Sequence, residues 1–291
     1  MFSGTYTALV TPFKNGAIDE AAYRRLIDFQ IDNGVSGIVP TGSTGEAATL
    51  DQEEHLRVIE IAVSQAKGRC RVIAGTGSNS TREAIELSMG AAKLGVDAVL
   101  LASPYYNKPT PEGIYRHFKA VSEATDVPIM LYNVPSRTAS EIDVETCVRL
   151  VRECKNVVSI KEAGGNCDRV SALRNALPPE FSILSGDDSL TIPFMAVGAV
   201  GVVSVASNII PRQVSEMVES FLTGHIHEAK DLHLRWYAIF KDLFIESNPV
   251  PVKAALHAMG MIEAEYRLPL CEMRPGNLDR LKRTLAAAKL I

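Results

Sequence analysis

The chain has 291 residues, 46% hydrophobic and 22% charged, with a formal charge of -4 at pH 7, the composition of an ordinary globular enzyme with a sizeable core. No Lys/Arg-rich run suited to a phosphate backbone occurs, and nowhere do about 18 apolar residues run together, so neither nucleic acid nor a membrane is expected as a partner. The opening MFSGTYTALVTPF lacks a cationic segment before a long apolar stretch, and five cysteines without CxxC spacing argue against a disulfide framework or a thiolate zinc site, so a cytoplasmic protein with reduced thiols is expected.

From the N-terminus, short apolar runs alternate with amphipathic segments, the pattern of βαβ units on a parallel sheet. Strands are expected at 5–10, 37–40, 71–74, 98–102, 128–132, 157–160, 181–184 and 201–205. Eight such repeats close most simply as an α/β TIM (β/α)8 barrel. The alternative, an open doubly wound sheet, wants a Gly-rich turn after the first strand, where Thr11-Pro12-Phe13 stands instead, and Gly75-Thr76-Gly77 has no third glycine in register. Thr49 with Gln52 and Ser80 with Glu83 have capping-box spacing, and Thr110-Pro111 places a cap before a proline at the first helical position. Gly34, Gly95 and Gly198 read as helix stops. Beyond about residue 211 the pattern is helical, with amphipathic stretches at 225–244, 251–259 and 277–289, which divides the chain into a catalytic barrel at 1–224 and a C-terminal helical extension at 225–291. His225, His227 and His233 lie close together on a predicted helix, but no carboxylate or cysteine cluster completes a ligand set, and no metal is expected.

Barrel enzymes carry their sites at the C-terminal ends of the strands. The sixth strand reads VVSIKE, and side chains alternate along a strand, so Val157, Ser159 and Lys161 share one face and Val158, Ile160 and Glu162 the other. If the first face lines the barrel, the Lys161 ammonium enters a poorly solvated space, its pKa falls from about 10.4, and a neutral amine able to form a Schiff base becomes accessible. The competing arrangement is a lysine that caps the strand and snorkels to solvent. After the second strand, the turn from Pro40 to Glu46 enters a helix, where free N–H groups and the helix dipole favour a carboxylate or phosphate; an ordinary turn has the same composition. Tyr106 after the fourth strand and Tyr132 at the end of the fifth fall at the same end as Lys161, with the hydroxyls of Ser43 and Thr44, and such groups in a chain relay protons without a metal. Arg137 suits a bidentate carboxylate contact, although isolated arginines are commonly surface charges. The acidic turn Ser185-Gly186-Asp187-Asp188 argues against a phosphorylated substrate and leaves a site for small carboxylates.

GSTGEAATL, GTGSNSTREAI, PYYNKPT, YNVPSRT, SIKEA, SGDD and FIESNPVPVK, in order from Gly42 to Lys253, together resemble the dihydrodipicolinate synthase branch of the pyruvate-dependent class I aldolases related to N-acetylneuraminate lyase. The resemblance implies that Lys161 forms a covalent imine with pyruvate, with no other cofactor, and that Tyr132 shuttles protons to and from it. It implies that Ser43 and Tyr106 complete the relay, Tyr106 entering from a neighbouring subunit of a homotetramer built as a dimer of dimers. Thr44, Gly186 and the backbone of Val203 would hold pyruvate, and Arg137 would meet the carboxylate of L-aspartate 4-semialdehyde. The activity so implied is condensation of the two to 4-hydroxy-tetrahydrodipicolinate in lysine and diaminopimelate biosynthesis. The family usually has threonine where Ser43 stands; serine keeps the hydroxyl and loses the methyl that restricts its rotamer.

Two other functions compete. A related lyase cleaving a keto-deoxy sugar acid or N-acetylneuraminate would share the lysine and tyrosine, but Arg137 suits a second carboxylate better than a polyhydroxy chain. A non-catalytic barrel acting as a binding protein leaves the full set of hydroxyls unexplained. Lysine-inhibited members bind lysine at a subunit interface through positions that match Ala47, Gln52, His55, Asn79, Glu83 and Tyr105. Ala47 lacks a hydroxyl and Gln52 replaces an imidazole, so weak or absent feedback inhibition is expected; the opposing view is that backbone contacts dominate and the Gln52 amide, which both donates and accepts, substitutes well.

Overall fold

The computed structural model describes residues 2–291; Met1, the first residue of the expected barrel segment, lies outside the described residues. Eight parallel strands, Gly4–Ala8, Gly37–Val39, Arg71–Gly75, Ala98–Ala102, Ile129–Asn133, Val157–Glu162, Ser182–Ser185 and Gly201–Ser204, each pair with the next, and the first closes on the eighth with Gly4 opposite Gly201. This is the expected (β/α)8 barrel. The first strand stops at Ala8 rather than at residue 10 because the Val10 N–H donates to the Asn208 side chain at 3.2 Å instead of to a neighbouring strand. The sixth extends past residue 160: Lys161 lies opposite Tyr132 on one side and Leu184 on the other, so the lysine sits within the ladder.

Helices cover the outside of the barrel because each presents one apolar stripe. Tyr23, Leu26 and Ile27 on Glu20–Asp32, Val58, Ile59 and Ala62 on Gln52–Ala66, and Ile114, Phe118 and Val121 on Pro111–Ala124 are all buried. Thr110 caps the last of these as expected, accepting from the Gly113 N–H at 3.3 Å, and Gly34, Gly95 and Gly198 all take the left-handed φ of helix stops. Ser80 accepts from the Glu83 N–H, but the Glu83 carboxylate turns to the Ser78 hydroxyl, so only half of that box forms. The Thr49–Gln52 box does not form. Thr49 instead donates its hydroxyl to the Glu46 carbonyl within a short 3-10 turn, Ala47–Thr49, and the helix begins two residues later with a complete box between Asp51 and Glu54.

The helix Pro211–Leu222 ends just before the expected division of the chain, and Ile226–Asp242, Val250–Ala258 and Pro275–Ala287 follow it. Trp236, Phe240, Leu281 and Leu285 of these helices are buried in the same core as the barrel. A second tie is electrostatic: Lys253 is wholly buried and donates to Glu46, itself buried, in the turn after the second strand, with the ammonium 4.4 Å from the centre of the Phe13 ring. No described helix is long and apolar enough to cross a membrane.

Candidate active site

Strand alternation decides where the sixth strand sends its side chains. Glu162 turns outward, fully buried between sheet and helices, where Asn133 Nδ2 and Arg169 Nε each lie 2.9 Å from its carboxylate and the Gly164 N–H donates to it at 2.6 Å. Lys161 therefore turns inward, only 5% exposed, with Nζ 4.2 Å from the centre of the Tyr132 ring. Snorkelling to solvent does not occur. Burial pulls the ammonium down to about 7, the Arg137 charge pulls in the same direction, and the Asp188 carboxylate opposes them. An uncharged amine is thus well populated at neutral pH.

Tyr132 is buried beside it. Burial pushes the phenol up to about 12, against the opposing pull of the Arg137 charge and a hydrogen bond with Ser43. The group stays protonated at neutral pH and can donate a proton to an oxyanion formed beside Lys161. Thr44, buried, accepts from Asn248 Nδ2 at 2.9 Å, and the Asn248 carbonyl accepts from Arg137 Nη2 at 3.3 Å, so Thr44 and Arg137 are held from one residue. Gly186 lies against the lysine stem: a Cβ there would stand 3.0 Å from Lys161 Cε and 2.8 Å from the Ala163 Cβ. Val203 is buried on the eighth strand.

The turn from Pro40 to Glu46 is not the helix N-terminus expected from its sequence. The Glu46 and Ala47 N–H groups are already used within it, bonding to the Ser43 and Gly42 carbonyls, and the helix opens only at Gln52. What this turn offers a carboxylate is therefore not the helix dipole but its hydroxyls and the N–H groups of Ser43, Thr44 and Gly45, which bond to no acceptor among the described residues. Tyr106 is not brought to the site within the chain: it is 88% exposed and sits at a φ of 70°, a conformation that non-glycine residues adopt at a cost and that clusters at functional positions.

Four of the six residues matched to a regulatory site gather on one patch. His55 is buried with Nε2 2.7 Å from the Gly75 carbonyl; burial lowers its pKa while the Glu83 charge raises it. Asn79 Nδ2 donates to the Tyr105 carbonyl at 3.2 Å. Gln52 lies exposed in the first turn of the helix that carries His55, and Ala47 lies in the 3-10 turn before it.

Two groups at the site escaped sequence reasoning. Asp188 is buried under hydrogen bonds from the Ser204 hydroxyl and the N–H groups of Val205 (3.1 Å) and Ala206 (2.9 Å), and burial raises its carboxyl to about 6. Its only sequence signal was the acidic pair 187–188, which does not say which member turns inward. Asn248 lay inside the FIESNPVPVK motif, but its partners are separated from it by 204 and 111 positions. Among the described residues, no group of three or more His, Cys, Asp or Glu is placed to hold a metal ion.

The comparisons with known proteins agree with one another. The family model described as the Dihydrodipicolinate synthetase family matches residues 1–288. The 4-hydroxy-tetrahydrodipicolinate synthase of Aquifex aeolicus (strain VF5) is 50% identical over 285 residues, 98% of this chain and 97% of that one. Among solved structures, the 4-hydroxy-tetrahydrodipicolinate synthase of the thermoacidophilic methanotroph Methylacidiphilum fumariolicum SolV superposes with a TM-score of 0.99 at 55% identity, covering 99% of this chain and 96% of that chain. The dihydrodipicolinate synthase of Cyanidioschyzon merolae, solved with lysine bound, gives a TM-score of 0.97 at 42% identity over 100% of this chain and 99% of that one. With a family match that spans nearly every residue and relatives of this identity over nearly all of their length, the chain belongs to the dihydrodipicolinate synthetase family.

Proposed function

We propose that this enzyme condenses pyruvate with L-aspartate 4-semialdehyde to 4-hydroxy-tetrahydrodipicolinate, through an imine on Lys161. The observation that carries this reading is the inward-facing, desolvated amine with a protonated phenol against it. The neutral Lys161 Nζ attacks the pyruvate ketone, and the carbinolamine expels its oxygen as water to leave a protonated imine. That cation acidifies the adjacent methyl group, and loss of a proton gives an enamine. The enamine carbon bonds to the aldehyde carbon of the semialdehyde, and Tyr132 supplies the proton that the new alkoxide takes up. The substrate amine then adds to the imine carbon, the ring closes, and Lys161 leaves as the free amine.

Two acids meet in one pocket, so two anion sites are needed. Thr44, with Gly186 and the backbone of Val203, holds the pyruvate carboxylate, and Arg137 holds that of the semialdehyde. Ser43 hands protons between Tyr132 and Tyr106. The exposure of Tyr106 in a single chain suits a side chain that enters a neighbour's site, and the assembly we propose is a homotetramer, a dimer of dimers, in the cytoplasm, working in lysine and diaminopimelate biosynthesis. The covalent imine takes the place of any cofactor.

The test is product analysis with pyruvate and each candidate aldehyde. Formation of the cyclic dicarboxylate with L-aspartate 4-semialdehyde is expected. Release of pyruvate from N-acetylneuraminate or a keto-deoxy sugar acid, without that condensation, would replace this reading with the lyase.

A further inference from the structure

Asn248 reaches the catalytic face from the extension, and its contacts fix more than position. A hydroxyl carries one proton and two acceptor sites. At Thr44 an acceptor site is filled by Asn248 Nδ2 at 2.9 Å, and the Thr44 proton goes to no protein acceptor among the described residues. Asn248 Oδ1 is buried without a partner. The residue is itself anchored, since its carbonyl accepts from Arg137 Nη2 and the Val250 N–H closes on the Ser247 carbonyl at 2.9 Å. We propose that Asn248 is a positioning residue that sets the hydrogen-bond polarity of Thr44, leaving the threonine proton directed to the carboxylate of pyruvate. This rests on the reading of Thr44 as a pyruvate ligand.

The chemistry explains why an amide suits the position. An aspartate would accept the Thr44 proton instead of donating to the oxygen, and would place a negative charge between two sites that must each receive an anion. An alanine would leave the hydroxyl free to rotate. The turn that carries Thr44 does not depend on Asn248 for its place, because Glu46 is tied separately to Lys253. Turned over, the amide would take the Thr44 proton through Oδ1, and the substitutions below separate the two arrangements.

The experiment uses the whole 291-residue chain and measures the pyruvate concentration dependence of borohydride trapping alongside steady-state kcat. Thr44→Val and Asn248→Ala are each expected to raise the half-saturating pyruvate concentration about ten- to a hundredfold, the scale of one hydrogen bond to a charged group. Asn248→Asp should raise it further, and the gap between the Asp and Ala variants should narrow on acidification as the new carboxylate protonates. Because Asn248 acts through Thr44, adding Asn248→Ala to Thr44→Val should change pyruvate saturation little more, and this double-mutant comparison decides the matter if Asn248→Asp does not fold. Additive losses in the double variant, or wild-type pyruvate saturation in Asn248→Asp, would overturn the inference alone. An unimpaired Thr44→Val would remove Thr44 as a pyruvate ligand, and the inference with it.

Discussion

Arg137 stands at the mouth of the site, exposed, and does two separate things: its charge lowers the Lys161 pKa, and its guanidinium reaches the Asn248 carbonyl. If it also binds the semialdehyde carboxylate, Arg137→Ala removes roughly 2 to 4 kcal/mol of productive binding from the second substrate. Condensation should then suffer far more than imine formation with pyruvate, whereas equal losses in trapping and in condensation would make Arg137 structural. At this scale the sequence was legible wherever one rule sufficed. Period-two alternation turns Lys161 into the barrel and Glu162 out of it, and both follow once the strand is placed. Asp188 and Asn248 were not legible, because what makes them matter is a contact across the fold: Asp188 with the loop after the eighth strand, Asn248 with Thr44.

Among the elements, the turn after the second strand shows both what local pattern gives and where it stops. The Thr49–Gln52 spacing pointed to the helix start, yet the boundary lies two residues on, because a 3-10 turn closed by Thr49 on the Glu46 carbonyl comes first. What holds this turn against the extension is the Glu46–Lys253 pair, both side chains wholly buried. Burial lowers the Lys253 pKa while Glu46 opposes it, so the pair depends on both partners. Breaking it on one side leaves a charge without a counter-charge in the core. Lys253→Met or Glu46→Leu alone should cost about 3 to 5 kcal/mol of stability, and the double replacement should recover much of that, since an apolar pair of similar volume needs no desolvation. Denaturant melts of the three variants check this; a double variant no more stable than either single one would mean the ion pair itself carries the packing.

For the whole molecule, the barrel and its helical tail could be read from eight spaced strands and a helical remainder, whereas the proposed entry of Tyr106 into a neighbour's site rests on family resemblance and on its exposure, because no pattern within one chain encodes a contact between copies. The patch matched by resemblance to a regulatory site also belongs to this scale. His55, Asn79, Glu83 and Tyr105 gather on it, yet Ala47 offers no hydroxyl and Gln52 no imidazole. If lysine binds there, two missing hydrogen bonds to a charged ligand, about 1.5 to 3 kcal/mol each, would weaken its binding a hundredfold or more. A titration of initial rate against L-lysine should show little inhibition, and half-inhibition in the submillimolar range would show that the two substitutions do not matter. The proposed chemistry turns on one nitrogen. Borohydride added with pyruvate should inactivate the enzyme irreversibly, because hydride reduces the imine to a secondary amine, and activity should survive EDTA treatment. With a Lys161 pKa of about 7, the trapping rate should rise between pH 6 and pH 8 as the ammonium gives up its proton, and level off above that. Peptide mass spectrometry should place one adduct per chain on Lys161; an adduct on any other lysine, or none, would contradict the central claim.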